Sequence, residues 1–302
     1  MNKKFLKACQ KLIGSFPLLP WIERLNLKKV NTSYSPVFII GPPRSGSTAL
    51  YQLLIKHYKF CFLTNFSNFF YKSPILADKV LNCLSSPKIT RIQKSEFGLI
   101  KGINAPSESG AIFRYWFDRL TYNENTKTLI KSTIHTLEDK HDAPFLNKNL
   151  YNSFRIDKIQ EIFPNAVFIH ITREPIYIAQ SLLTARRKLY GNYASWFGLR
   201  PLDYDKIITI EDPFIQVYYQ INSINKSIKN LTGNLPINLI NIKYENLCND
   251  TSNVLEKIEK YYNKVSKKKI KNEKLEAENI QSGNYKKVKN KDWDKLIKLF
   301  KE

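Results

Sequence analysis

The sequence predicts an α/β fold of three layers, with a central, mainly parallel sheet flanked by helices. Three observations predict it. Short apolar runs at 36–40, 144–147, 166–171 and 239–242 read as buried strands. Longer segments with apolar residues at helical spacing separate them, so strand and helix alternate as a parallel sheet requires. The residues best suited to chemistry follow predicted strands, at the carboxyl edge where such sheets bind ligands. No internal repeat or linker interrupts the 302 residues. We therefore expect one domain, 1–302, with an N-terminal helical leader at 1–34 and a basic helical C-terminal extension at 251–302.

In the leader, Phe5, Leu6, Cys9, Leu12, Ile13 and Phe16 recur at helical spacing. Lys11 breaks the apolar stretch and no small-residue cleavage site follows, so an amphipathic helix is expected rather than a signal peptide. Packing on the domain is its main expected role, and peripheral contact with a membrane the minor one. The first strand is followed by a helix to about His57. Residues 58–95 are mixed, with short helices and aromatic residues (Phe60, Phe62, Phe66, Phe69, Phe70, Tyr71) that suit a core or a pocket wall. A loop is expected at 97–110, then an aromatic helix at 111–120. Further helices are expected at 126–140, 153–162, from about Ile176, at 212–231 and at 250–265.

The formal net charge is +22. Residues 251–302 hold 15 lysines against 8 acids, leaving +15 on the rest, so the surplus is spread along the chain. With no arginine-rich block and no helix-turn-helix or zinc-finger pattern, no specific nucleic-acid partner is expected. A groove for anionic ligands accounts for part of the charge. Cys9, Cys61, Cys83 and Cys248 are too widely spaced for a zinc site or a disulfide framework. No segment approaches the roughly 20 apolar residues of a membrane span. A reducing, cytoplasmic location is expected. Nothing in the sequence addresses oligomeric state.

Residues 41–48 read GPPRSGST. This is a phosphate loop of the Walker type with Ser47 where the lysine belongs. A strand, such a loop and a helix present backbone N–H groups to an anion, giving a P-loop-type fold. Pro43, Arg44, Ser45, Gly46, Ser47 and Thr48 form the expected cradle, with hydroxyl donors and one fixed cation. Without the lysine that neutralises β- and γ-phosphates, triphosphate chemistry is disfavoured. A donor with a single 5′ phosphate and a less charged transferable group fits better, and a phosphosulfate is one. A second segment, AVFIHITREPIYIAQSL (166–182), ends a strand at Arg173 and sets Ser181 on the following helix, suited to a second phosphate.

Together these segments resemble sulfotransferases that use 3′-phosphoadenosine-5′-phosphosulfate (PAPS), closest to the bacterial-type members. Further matches are LNKN, FRIDKIQEIFPNA and NIKYENL, so the resemblance covers roughly 36–250. It implies transfer of a sulfuryl group to a hydroxyl or amine without a metal. Residues 44–48 would hold the 5′ phosphosulfate, with Arg44 near the transferring group. Arg173 and Ser181 would bind the 3′ phosphate, Tyr244 would lie near the adenine, and Lys148 would stabilise charge on the donor side.

The catalytic base does not carry over. Cytosolic members place a histidine where this chain has Leu150. Protein-tyrosine members use a glutamate soon after the loop helix, and 58–75 contains no acid. Glu108 is the first candidate and His135 the second, while His57 and His170 read as structural. The aromatic clusters at 60–71 and 113–117 and the run Arg186-Arg187-Lys188 suggest an acceptor with apolar and anionic parts: a saccharide, a lipid or a small metabolite. Two other readings remain, a nucleotide kinase or NTPase with a degenerate Walker loop, and an inactive binding protein of the same fold.

Overall fold

The computed structural model describes residues 10, 18–28, 34–84, 100–273, 275, 277 and 279–301. The six apolar positions expected to form the leader helix lie outside them, as does the start of the 97–110 loop. Four strands, β1 (Val37–Ile40), β2 (Leu146–Lys148), β3 (Val167–Thr172) and β4 (Asn238–Lys243), form a parallel sheet in the order β2–β1–β3–β4. The long helices are α1 (Ser47–His57), α2 (Glu124–His141), α3 (Pro175–Tyr190), α4 (Pro213–Gly233), α5 (Thr251–Val265) and α6 (Asn290–Lys301). The chain leaves β1 towards β2 and then returns past β1 to β3. The loop after β1 therefore sits where the strand order reverses, the usual ligand crevice of an open α/β sheet.

Strand alternation builds the layers. Val37 and Ile39 of β1, with Val167, Ile169 and Ile171 of β3, face a core shared with α1 and α5. Phe38, Ile40 and Phe168 face the opposite core, shared with α2 and α4. All four β1 residues are buried, which explains a continuous apolar run rather than an alternating one. Each such side chain contributes about 1.5–3 kcal/mol on burial. A third cluster joins α3, α4 and α6 through Leu182, Val217 and Leu296.

Phe60, Phe62, Tyr71, Phe113, Trp116 and Phe117 take the core role, the first of the two expected for the clusters, while Phe66, Phe69 and Phe70 are half-buried. The aromatic helix is α-helical only over Gly110–Arg114 and widens into a π turn over Tyr115–Arg119. The segment after 250 is part of the packed body: α5 lies on the sheet through Val254, Leu255 and Ile258, and α6 lies on α3 and α4. Among the described residues, no helix is long and apolar enough to cross a membrane.

Three of the six long helices start on a side-chain cap. Asn123 accepts from Thr126 N–H at α2, Asp212 from Phe214 and Ile215 N–H at α4, and Asp250 from Asn253 N–H at α5. Helix α1 has no side-chain cap. Its first turn opens instead onto the crevice.

Candidate active site

The sheet register brings the strand ends together. Lys148, the last residue of β2, pairs with Ile39, and His170 pairs with Ile40. Gly41, Asn149, Arg173 and Tyr244 each follow directly on a strand at this edge. Asn149, Arg173 and Tyr244 border a cavity of about 430 Å³, within the usual range for small-molecule sites.

The loop after β1 is shaped by close approaches. Gly41 has φ 145°, and a Cβ there would lie 2.4 Å from the Ile171 carbonyl oxygen, so only glycine fits. Its N–H donates to Ser153 Oγ at 3.1 Å, tying the loop to the turn after β2. Gly46 has φ 92°, and a Cβ would lie 2.2 Å from the Tyr244 ring, which covers it. Arg44, between them, takes φ 68°. Left-handed backbone at a non-glycine residue costs about 1 kcal/mol and collects at functional loops. Ser109, next to Glu108, is held likewise at φ 57°.

Pro43, Arg44, Gly46, Ser47 and Thr48 all border the cavity. Ser45 does not: it is fully buried behind the loop, and its Oγ has no hydrogen-bond partner. Arg44 departs from expectation. Its Nε donates to Ser181 Oγ at 2.8 Å, so the guanidinium turns towards the proposed second-phosphate residues. Arg173 Nη1 donates to the Arg44 carbonyl at 2.9 Å, and its Nε donates to Asn284 Oδ1 at 2.7 Å. Its guanidinium lies 4.5 Å from the Tyr244 ring centroid. Burial and then the charge of Arg173 lower the pKa of Arg44, and burial lowers that of Arg173. With Arg44 on the Ser181 hydroxyl and Arg173 on the Arg44 carbonyl, two guanidinium groups are crowded together in a site that an anion would relieve.

A second polar group borders the same cavity. Lys148 is 2% exposed, and its ammonium donates to the Glu108 carboxylate, which is 35% exposed. The Glu108 loop is fixed by Ser107 N–H bonding Leu63 O at 2.9 Å and by Ser109 N–H bonding Ser107 Oγ at 3.0 Å. Tyr51 reaches Ser107 O from α1 at 3.4 Å, and burial first, then the Glu108 charge, raises its phenol pKa well above the usual value. Among the described residues, Glu108 is the only carboxylate bordering the cavity, and no imidazole borders it. His135 lies elsewhere: α2 buries it, with its ring 5.9 Å from that of Phe163. Helical spacing marked it as available, but that face of α2 packs into the core. His57 and His170 are both outside the cavity, and burial lowers the pKa of each.

Sequence reading missed the pieces that complete the walls. Leu150 and Tyr151, from the turn after β2, and Phe197–Leu199 supply apolar surface. Arg186, expected to meet an anionic acceptor, is fully buried and serves this wall indirectly. It donates to Tyr193 O at 3.1 Å and to Gln216 Oε1 at 2.7 Å, and Gln220 donates to Phe197 O at 3.1 Å and Leu199 O at 2.9 Å. Burial among these neutral partners lowers its pKa to about 10. Gly283 and Lys287 close the other side. Gly283 N–H donates to Tyr244 OH at 3.0 Å, and Asn284 bridges Arg173 to Glu245, donating to the latter at 2.8 Å. Gly283 stands in QSGN just before a lysine-rich stretch, and its place in a chain with ten glycines was the available signal. Among the described residues, no group of three or more His, Cys, Asp or Glu side chains is gathered as metal ligands.

An open parallel sheet with a glycine-bent loop and two arginines at its switch point, and a lysine–carboxylate pair beside them, is suited to an anionic ligand. The sequence model of the Sulfotransferase family matches residues 36–263, and the chain belongs to that family. Curated relatives in Mycobacterium bovis and Mycobacterium tuberculosis, named omega-hydroxy-beta-dihydromenaquinone-9 sulfotransferase Stf3, are 28% identical over 111 residues. That match covers 37% of this chain and 26% of the relatives, about a quarter of their length. Among solved structures, sulfotransferase STF1 of Mycobacterium tuberculosis H37Rv aligns with a TM-score of 0.50 at 14% identity, covering 87% of this chain and 76% of that one. STF9 of Mycobacterium avium aligns with a TM-score of 0.50 at 14% identity, over 84% and 68%. At such identity the likeness speaks to the fold alone.

Proposed function

We propose that this sulfotransferase takes its sulfuryl group from PAPS and transfers it to the hydroxyl of an acceptor with an apolar body. One observation carries the reading: a single cavity is bordered by Arg173, by Arg44 hydrogen-bonded to Ser181, and by the Lys148–Glu108 pair. The residues suit the donor. The uncapped start of α1 offers N–H groups to a 5′ phosphosulfate. Arg173, Ser181 and, by its orientation, Arg44 suit a 3′ phosphate, which ATP lacks. The Tyr244 ring suits the purine.

The donor supplies an activated sulfur–oxygen bond. Glu108 takes the acceptor's proton as the acceptor oxygen attacks sulfur in line, a contribution of roughly 10²–10⁴ in rate. Lys148 offsets the negative charge left on the phosphate oxygen when the sulfur–oxygen bond breaks. The electron pair stays with adenosine 3′,5′-bisphosphate, which the loop, Arg173 and Ser181 retain until release. The apolar wall of Leu150, Tyr151, Phe197 and Leu199 favours an apolar-bodied alcohol, and the hydroxylated menaquinone in the relatives' name is of that kind.

The test is transfer of radiolabelled sulfur from PAPS to a panel of apolar alcohols and saccharides. Labelled apolar product, abolished in Glu108→Gln, is the expected result. Turnover that survives Glu108→Gln at full rate overturns the base. Phosphoryl transfer from ATP with magnesium overturns the donor.

A further inference from the structure

The helix Leu18–Asn26 is amphipathic the wrong way round for a helix at a protein surface. Glu23, its one carboxylate, is 2% exposed and points inward. Its two oxygens accept from Ile75 N–H at 2.8 Å and Leu76 N–H at 3.0 Å, at the start of the helix Pro74–Leu84. The outward face carries Leu18, Trp21 and Leu25, exposed by 62%, 60% and 67%. Positions i, i+3 and i+7 lie on one stripe of a helix. A stripe buried in a core needs no polar rim, and an exposed stripe of this kind marks a contact surface.

Charge says what the contact is. Arg24 is exposed at the edge of the stripe. Residues 1–28 contain six cations, Lys3, Lys4, Lys7, Lys11, Arg24 and Lys28, and a single carboxylate, Glu23. Because Glu23 is turned into the protein, the outward side of the described residues 18–28 presents no negative charge of its own. Lys28 also pairs with Asp139 at 2.7 Å and Lys79 donates to Asn26 at 2.6 Å, which anchors the helix to the body without using the stripe. Apolar side chains including an interfacial tryptophan, flanked by cations, match an anionic lipid surface. A second copy of a chain with net charge +22 would instead bring like charge to the contact.

We propose that the Leu18–Trp21–Leu25 stripe docks the protein on an anionic membrane surface. This stands whatever the donor or acceptor of the reaction proves to be. The helix lies on the surface and does not span it, since nine residues are too few.

The test is co-sedimentation of the full chain with vesicles of phosphatidylcholine, with and without about 30% phosphatidylglycerol. Binding is expected only to the anionic vesicles, weakened by added salt. Replacing Leu18, Trp21 and Leu25 by Gln should weaken it roughly 100-fold. Arg24→Glu alone should weaken it roughly 10-fold. Because all four side chains face outward, the melting temperature should not change, which separates lost docking from lost folding. Equal binding to neutral vesicles, or anionic binding indifferent to the triple substitution, overturns the proposal. Self-association that the triple substitution abolishes, without vesicle binding, assigns the stripe to a second copy and also overturns it.

Discussion

The two ends of the cavity are built in different ways. The end at Arg44, Arg173 and Ser181 comes from contiguous motifs: a strand, its following loop and the helix after it, twice over. The end at Glu108, Tyr151 and Phe197 is assembled from three loops far apart in the sequence. The first end is fixed mainly by backbone, through the close approach of Gly41 to the Ile171 carbonyl and of Gly46 to the Tyr244 ring. The second is fixed by side chains, with Lys148 holding Glu108 and Gln220 holding the carbonyls of Phe197 and Leu199. A family can keep the first and rebuild the second, so donor and acceptor recognition should separate under mutation.

The largest expected effect is at the assembled end. Glu108→Gln keeps size and hydrogen-bonding shape but loses the base, and kcat should fall roughly 10²–10⁴-fold. The affinity for adenosine 3′,5′-bisphosphate, read by calorimetry, should not move. A matching loss of bisphosphate affinity would mean that the ends are not separable.

Arg173→Ala should do the converse. It removes charge-assisted contacts to the donor, and bisphosphate affinity should drop roughly 30–100-fold. The preference for the 3′-phosphorylated nucleotide over 5′-AMP should fall with it. An unchanged preference would remove Arg173 from the 3′-phosphate site.

A smaller effect is expected from Gln220→Glu. The carboxylate can pair with Arg186 but has no N–H for the Phe197 and Leu199 carbonyls, so the apolar wall loosens while the buried cation gains a partner. Steady-state kinetics should show the acceptor KM rising about tenfold, with donor KM and melting temperature held. A donor-side change would contradict the division.

The smallest effect on either end belongs to Glu23. Burial raises its pKa from 4.5 to about 7 against the pull of the Ile75 and Leu76 N–H groups. The folded state therefore holds a proton that the unfolded chain releases above pH 4.5. Stability contributed by this group is complete below pH 4.5 and declines as pH rises towards 7, by up to about 3 kcal/mol. Hydrogen-exchange protection factors in the helix Leu18–Asn26, corrected for the intrinsic pH dependence of amide exchange, should fall over that window, and the fall should be absent in Glu23→Gln. Bisphosphate affinity should be indifferent.

The same contrast explains what the sequence made legible. Strands such as Val37–Ile40 and Val167–Thr172 were readable because both sheet faces are buried, which leaves uninterrupted apolar runs. The loop at 41–48 was readable because its glycines answer to local backbone demands. Glu108 stood out by its loop, but its pairing with Lys148 depends on how the loop at 105–109 folds back against Leu63, which no local pattern encodes. His135 misled because helical spacing does not say which face meets a neighbour. Arg186 misled because a basic triplet on a helix puts its first residue inward and its third outward. The roles of Asn284 and Lys287 were invisible because they reach the site only after α5 has packed on the sheet.

The central claim is that the loop without a Walker lysine serves a donor whose second phosphate is read by Arg173 and Ser181. Calorimetric titration tests it most directly, with adenosine 3′,5′-bisphosphate beside ADP and ATP with magnesium. The account predicts that the bisphosphate binds at least about tenfold more tightly than either, and that the advantage disappears in Arg173→Ala. Tighter binding of ATP with magnesium, unaffected by that substitution, would contradict it and make the loop a degenerate nucleotide-triphosphate site.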